Sequence, residues 1–406
     1  MPESVKSFNM RIALTIISFV FWFFTAGADG FVHPGGLHGL EQLEAAKGRI
    51  DEEPLSRAYA GLAGQAESFL SLEPRPLANY DVPYFYFNKD ESMSAKQLLS
   101  DDAFAAYTLA LAYRLGGCQR QDYAAKSIEI INAWAKVNKK VSGFDGDLAA
   151  CYCGVPLVLA AELVSDNPLW AAQDRELFGQ WVLNVMLKSA DSLKYKNNNH
   201  GCWGLYTSLV CNHYLDNKSG FAEGVELLKR QISAMIDDKG ELPAENKRTN
   251  SGMWYTYFAL CPMSCSAYIA TNVTGVDYFN YTDADGKGLK PALDTFFRYC
   301  KNPGSWPYKK PSGLRGAVYN LFYPSADEVK MPKPDSWPGN LYEAMQGIYN
   351  EPQWDKWLEP HRPIQGGRGW MWATAFRLSE ISSAAGVGQK KIEASDPRGS
   401  EASKGL

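Results

Sequence analysis

An all-α fold, with helical hairpins closing into an α/α toroid, is what three features of this 406-residue chain predict. Apolar residues recur at helical spacing over most of the stretch from 101 to 384. Long β-alternation is missing from that stretch. Almost wholly apolar segments stand among segments that carry a single apolar stripe. The first kind suits inner helices buried all round, and the second suits outer helices with one wet face. The chain is 46% apolar, which supplies a core, and its 21% charge is too low for a disordered polyelectrolyte. It has no phosphate-binding loop and no dinucleotide fingerprint. The formal charge is −4, with no basic stripe, which excludes a nucleic-acid surface. A cleft can still be positive on a chain of negative net charge.

The elements follow in order. Residues 1–28 read as an export signal: Arg11 precedes IALTIISFVFWFF, and AGA at 26–28 offers small residues for cleavage. The mature chain is expected to be secreted or periplasmic, without stable membrane association. Residues 29–100 read as largely irregular, with a short helix at EQLEAAKGRI and an ordered aromatic loop at DVPYFYF, 81–87. Helices are then predicted over 101–116, 122–137 and 146–164, the last a buried inner helix that Pro156 can bend. Further helices are expected over 175–193, 203–216, 221–236 and 252–270, and around 289–299, 340–349 and 371–384. One catalytic domain is expected over 29–385, with a disordered tail at 386–406.

Eight cysteines fit an oxidising compartment and suggest disulfides, although their spacing selects no pairing. Asn217, Asn272 and Asn280 begin glycosylation sequons. Metal binding is not indicated. The cysteines are scattered, and DADGKG at 283–288 has Lys287 where a calcium loop needs an oxygen ligand.

Two polar clusters carry candidate chemistry. KNNNHGCWG, 196–204, places three asparagines before His200 and a tryptophan soon after. One reading is a helix start with Asn199 as its cap. The other is a sugar-acid site. Asn199 donates to a carboxylate without adding charge, His200 moves a proton near neutral pH, and Trp203 offers a flat face to a sugar ring. In ENKRTNSGMWYTYFAL, 245–260, a helix is expected to start at Asn250 or Ser251. Arg248 then projects from the preceding loop and Tyr255 from the first turns. Arginine grips a carboxylate bidentately, and its charge favours tyrosinate. Packed or surface roles are the ordinary alternatives for each residue alone.

Together these clusters resemble the alginate lyase family of polysaccharide lyases. The resemblance rests on NNH-x-x-W at 198–203, R-x6-Y-x3-AL at 248–260, HPGGLHGLEQL at 33–43 and the span 106–134, and it covers roughly residues 30–385. It implies an incomplete α/α toroid with an open groove, no metal or other cofactor, and Asn199, His200, Arg248 and Tyr255 as catalytic residues. Three positions depart from the family pattern. Thr256 stands where a histidine is common, Thr249 where a glycine is common, and Cys202 where an aromatic residue is common. These departures bear on which polymer is cut.

The resemblance implies β-elimination on a 1,4-linked polyuronate, alginate or glucuronan, by a monomer acting on an anionic polysaccharide. Arg248 and Asn199 hold the C6 carboxylate, a base takes the C5 proton, and an acid protonates O4. In mannuronate or glucuronate H5 and O4 lie on one side, so Tyr255 can serve both steps. In guluronate they lie on opposite sides, and His200 becomes the base. Tyr84 and Tyr86 are expected to border the groove as a lid, with Trp306, Arg315 and Arg368 as further substrate contacts and Trp370 beside them. The rival activities are a glycoside hydrolase using Asp145 and Asp147 as its carboxylate pair, and a binding protein without catalysis.

Overall fold

Successive apolar helices line up as neighbours in the computed structural model, which describes residues 30–53, 55–322 and 331–364. The predicted signal, Arg368, Trp370, the helix expected over 371–384 and the tail lie outside the described residues. The N-terminal part holds α1 (Leu40–Gly48), α2 (Leu55–Phe69) and the short strand β1 (Asn79–Asp81). Then come α3 (Lys89–Leu115), α4 (Gln121–Val137), β2 (Lys140–Ser142) and α5 (Gly146–Leu163). The helix α6 (Ala172–Trp181) runs through a π-helical stretch at Val182–Leu187 into α7 (Lys188–Asp191). After it come α8 (Asn199–Tyr214), α9 (Lys218–Met235), α10 (Pro243–Asn246), α11 (Gly252–Thr274) and α12 (Leu289–Lys301). The series ends with α13 (Gly313–Phe322), α14 (Gly339–Tyr349) and α15 (Pro352–Leu358).

The inner helices are α3, α5, α8 and α11, each packed on the next, while α4 backs α3 and α9 backs α8. This is the α/α toroid arrangement. Composition sorts the two layers. In α5 nearly every residue is buried, and in α11 the run Thr256–Ala270 is buried without a break. In α9 buried Phe221, Val225, Leu228 and Ile232 recur at helical spacing, with charged residues between them.

Sequence-derived bounds for α4 and α11 agree closely with the structure, and Pro156 sits inside α5 as expected. Several helical stretches escape the sequence reading: α13 and α15 near the end, and α2 with the first three turns of α3, residues 89–100, the last two in a region read as mainly irregular. Residues 89–100 are mostly polar and only half of them are exposed, so their apolar stripe is faint. Their helical start is favoured by Asp90 and Glu91 in the first turn.

All eight cysteines are free thiols, which corrects the expected disulfides. Seven are buried, and Cys261 and Cys265 share a face of α11 without bonding. Their side chains run parallel from one helix, an orientation poorly suited to a bridge. Core packing occupies these positions instead. Of the three sequon asparagines only Asn280 is exposed; Asn217 caps α9, and Asn272 donates to the Gly36 carbonyl.

Candidate active site

The parallel pair β1–β2 builds one wall. It aligns Asn79–Asp81 with Lys140–Ser142, bringing the loop after β1 against the start of α5. Val82 donates to Ser142, and Asp145 donates its backbone N–H to Val82. Gly143, at φ 85°, lets the chain pass so close to Val82 that a Cβ would stand 2.2 Å from its carbonyl oxygen. The Asp145 carboxylate then accepts the Phe85 N–H at 2.9 Å. Tyr84 packs edge-on against Phe144 and Phe87. The aromatic loop is thus tied down, and Tyr84, Phe85 and Tyr86 face the cleft.

The start of α8 builds the second wall. Asn198, not Asn199, is the cap, accepting the Gly201 N–H at 3.3 Å. The helix begins at Asn199, four residues earlier than the sequence pattern suggests, so Asn199 and His200 form its first turn. Gly201 makes this crossing possible: a Cβ there would lie 1.7 Å from the Lys196 carbonyl oxygen. Glu245 of α10, 1% exposed, accepts both the backbone N–H and the side-chain Nδ2 of Asn199, each at 2.7 Å. It satisfies a free N–H of the helix start and complements the positive helix end. One of the two Asn199 amide hydrogens is thereby used, which leaves one for a ligand.

The third wall is the turn between α10 and α11. Arg248 precedes a 3₁₀ turn, Thr249–Ser251, and Tyr255 lies in the first turn of α11. Arg248 Nη2 donates to Tyr255 Oη at 3.1 Å and also to Tyr86 Oη. The Tyr86 and Tyr255 hydroxyls are 2.5 Å apart. The guanidinium carbon sits 4.2 Å from the centre of the Tyr255 ring. Trp306 Nε1 donates to the Thr249 carbonyl, and Tyr319 Oη donates to the Arg248 carbonyl. Thr249 has φ 54°, a left-handed conformation costly for a β-branched residue. Glycine adopts it freely.

These walls enclose a cleft of about 630 Å³. Asn199, His200, Arg248 and Tyr255 all line it, with Tyr84 and Tyr86 opposite. Its charged lining residues are Lys89, Lys96, Arg248 and Asp145: three cations against one anion. Trp203 corrects the sequence reading, since its indole is 1% exposed, packed among Tyr152, Tyr206 and Phe258, and presents no face to a sugar. Once α8 starts at Asn199, a residue four positions on points into the inner core. Trp306 is also buried, bracing the Arg248 turn from behind, and Arg315 is exposed on α13, away from the described cleft lining. Asp147 bonds Ser192 and is not among the described lining residues, so Asp145 and Asp147 do not form a carboxylate pair across the cleft.

Burial dominates the proton affinities. It pulls the His200 imidazole from 6.5 down to about 4, with Lys196 and Arg248 adding to the effect, so the ring is neutral at pH 7. Burial also pushes the Tyr255 phenol well above 10, although Arg248 opposes it. The expected lowering by arginine is present but outweighed, and Tyr255 is a phenol when the cleft holds no substrate. Burial raises the Glu245 carboxyl against the lowering effect of its Asn199 bonds.

Residues 58–306, more than half the chain, match the family model for alginate lyase. The chain belongs to the alginate lyase family. It is accordingly a polysaccharide lyase, and the resemblance drawn from its motifs is confirmed. Similar solved structures include an alginate lyase from Bacteroides ovatus, with 19% identity and a TM-score of 0.59 over 73% of this chain and 93% of that one. Alginate lyase A1-III from Sphingomonas species A1 matches with 16% identity and a TM-score of 0.59, over 79% of this chain and 93% of that one. A variant of A1-III complexed with a tetrasaccharide matches at 17% identity, also with a TM-score of 0.59, over 79% and 93%. At these identities the structures establish the shared fold. No match is found among curated protein sequences. Sequence reasoning missed Glu245 and Lys96 in this site. Glu245 stands three residues before Arg248, but a lone glutamate in a polar run carries no signal of burial.

Proposed function

We propose that this lyase cleaves a 1,4-linked polyuronate by β-elimination, with Arg248 and Asn199 holding the C6 carboxylate and Tyr255 delivering a proton to O4. The observation that carries the reading is the contact set of Arg248, Tyr86 and Tyr255 beside Asn199 and His200, in a cleft whose lining carries an excess of positive charge. A bound carboxylate neutralises Arg248 and lets negative charge build on it as the C5–H bond breaks. The electron pair from that bond forms the C4–C5 double bond as the C4–O4 bond breaks. O4 takes a proton, and no water is consumed.

Mannuronate or glucuronate is the first choice of substrate, because one proton carrier then serves both steps. Tyr255 first loses its proton to solvent, with Arg248 steadying the tyrosinate, then accepts H5 and returns that proton to O4. A second reading is favoured by the charge states: neutral His200 accepts H5 from guluronate while the Tyr255 phenol protonates O4 from the opposite side. A hydrolase reading finds no support, because the cleft lacks a second lining carboxylate among the described residues. Export of the mature chain after residue 28 belongs to the same proposal, and N-terminal sequencing of the secreted product tests it.

The decisive assay offers purified protein polymannuronate, polyguluronate, glucuronan and hyaluronan while the absorbance of unsaturated ends is followed. Absorbance should rise on polymannuronate or glucuronan and be lost in Tyr255→Phe. Faster cleavage of polyguluronate selects the second reading. Binding without any new absorbance would leave only a polymer-binding role and end the proposal.

A further inference from the structure

A second constellation lies at the far end of α8, away from the cleft. His33 comes from the N-terminal strap before α1, Glu162 from the last turn of α5 and His213 from the last turn of α8. Their donor atoms converge. His33 Nδ1 lies 3.4 Å from Glu162 Oε1, and His213 Nδ1 lies 3.1 Å from the same oxygen. All three ligand atoms fall within 4.8 Å of one another. The geometry points to a zinc-binding site formed by His33 Nδ1, Glu162 Oε1 and His213 Nδ1, which pins the strap to the ends of α5 and α8.

Four observations support this assignment. A tetrahedral zinc site with bonds of about 2.0–2.1 Å has ligand–ligand edges of roughly 3.3–3.4 Å, close to the 3.4 and 3.1 Å separations of the two histidines from Glu162 Oε1. His213 is 1% exposed, yet its Nδ1 makes no hydrogen bond, although a carboxylate oxygen lies beside it. Two lone-pair atoms aimed at a common point, rather than a donor aimed at an acceptor, produce that arrangement. The outer shell is also of the kind metal histidines use. His33 Nε2 lies 3.3 Å from Asp216 Oδ1, which fixes the proton on Nε2 and leaves Nδ1 as a lone-pair donor. Finally, the backbone N–H groups of Gly35 and Gly36 orient Glu162 Oε1 at 2.8 and 3.1 Å, and Phe31 stacks on His213 at 5.0 Å. His33 is 22% exposed, so water can supply the fourth ligand.

The site is structural rather than catalytic. It stands a helix length, roughly 20 Å, from Asn199 and His200. Zinc binding joins three segments distant in sequence and stabilises the folded chain by mass action.

Metal analysis of tag-free protein, purified without chelator, tests the assignment. About one zinc per chain is expected. After chelation, added Zn2+ should raise Tm by roughly 5 °C at a hundredfold excess over Kd. Co2+ in place of zinc should give the visible bands of tetrahedral coordination. His33→Ala, which removes the most exposed ligand, should lose the metal, the Tm response and the cobalt bands, while the control His361→Ala keeps all three. His213→Ala should behave like His33→Ala where it folds. Absence of bound metal and of any Zn2+-dependent Tm shift in the wild type, or an unchanged shift in His33→Ala, would overturn the site and leave the cluster a pair of imidazoles bonded to a buried carboxylate. Neither result touches the lyase assay, because no ligand of this site lines the cleft.

Discussion

Helix α8 carries a histidine near each end, and the two occupy opposite electrostatic surroundings. His200 faces a cleft beside Lys196 and Arg248, and burial holds it neutral, with its pKa near 4. His213 lies under Phe31, against the buried Glu162 carboxylate. Burial alone would raise the Glu162 carboxyl, but His213 and His33 pull it well below the carboxylate range. The same helix therefore ends in a neutral imidazole on one side and in a buried cluster of a carboxylate and two imidazoles on the other. Residue type does not decide the role; the neighbours supplied by other helices do.

The largest test of this contrast is Tyr255→Phe, which should lower kcat by about 10³-fold with Tm almost unchanged, since the phenol oxygen acts only at the cleft end. Comparable activity in that variant would remove the cleft end from the chemistry. At the clamp end, His213→Ala removes an imidazole packed against buried Glu162 and stacked under Phe31, and should cost about 3 kcal/mol of stability. Denaturant melts read this loss, and kcat per folded molecule should hold. A fall in kcat with unchanged stability would merge the two ends into one function.

Glu245→Gln sharpens the comparison within the cleft end. The buried carboxylate orients Asn199 through two bonds, and an amide can accept only one of them without turning a donor toward a donor. A loss of roughly 10- to 100-fold in kcat is expected, with KM less affected. If KM alone rises, Glu245 acts on binding and not on Asn199. The pH profile comes next. His200 takes up a proton only as pH falls toward about 4, so the acid limb of kcat/KM should lie near there and not near 6.5. His38 is also held down to about 4 by burial. For both groups the folded pKa lies below the unfolded one. The unfolded chain therefore binds protons first, and stability should fall as pH drops from about 6.5 to about 4. Melts between those values should slope downward toward acid, and the slope should be shallower in His200→Gln. The smallest effect is expected from Thr249→Gly, which relieves a left-handed β-branched residue and should stabilise the chain by about 1 kcal/mol. A lower Tm would mean that the Thr249 side chain contributes more packing than its backbone costs.

Much of the site was legible because it comes in two short clusters. Asn199 with His200, and Arg248 with Tyr255, are polar residues set at the starts of apolar helices, where burial makes polarity informative. Trp203 misled for a local reason. A helix start shifted from near 203 to 199 rotates that side chain from the cleft into the core. Glu245 was hidden because its two partners lie 46 residues away. Residues 89–100 were missed because a mostly polar, half-exposed helix shows little periodicity, and the cysteines suggested crosslinks because composition says nothing of where thiols point.

What the chain settled without its fold was the sorting of segments into inner and outer helices, since the width of an apolar stripe is written residue by residue. It also settled the pairing of an arginine with a tyrosine seven positions on, which one helical turn and its approach can bring together. The union of His33, Glu162 and His213 needed the tertiary structure. So did the choice of which asparagine caps α8 and the direction in which each proton affinity moves. These depend on distances between segments tens of residues or more apart and on how completely water is excluded, and neither is encoded in any local stretch.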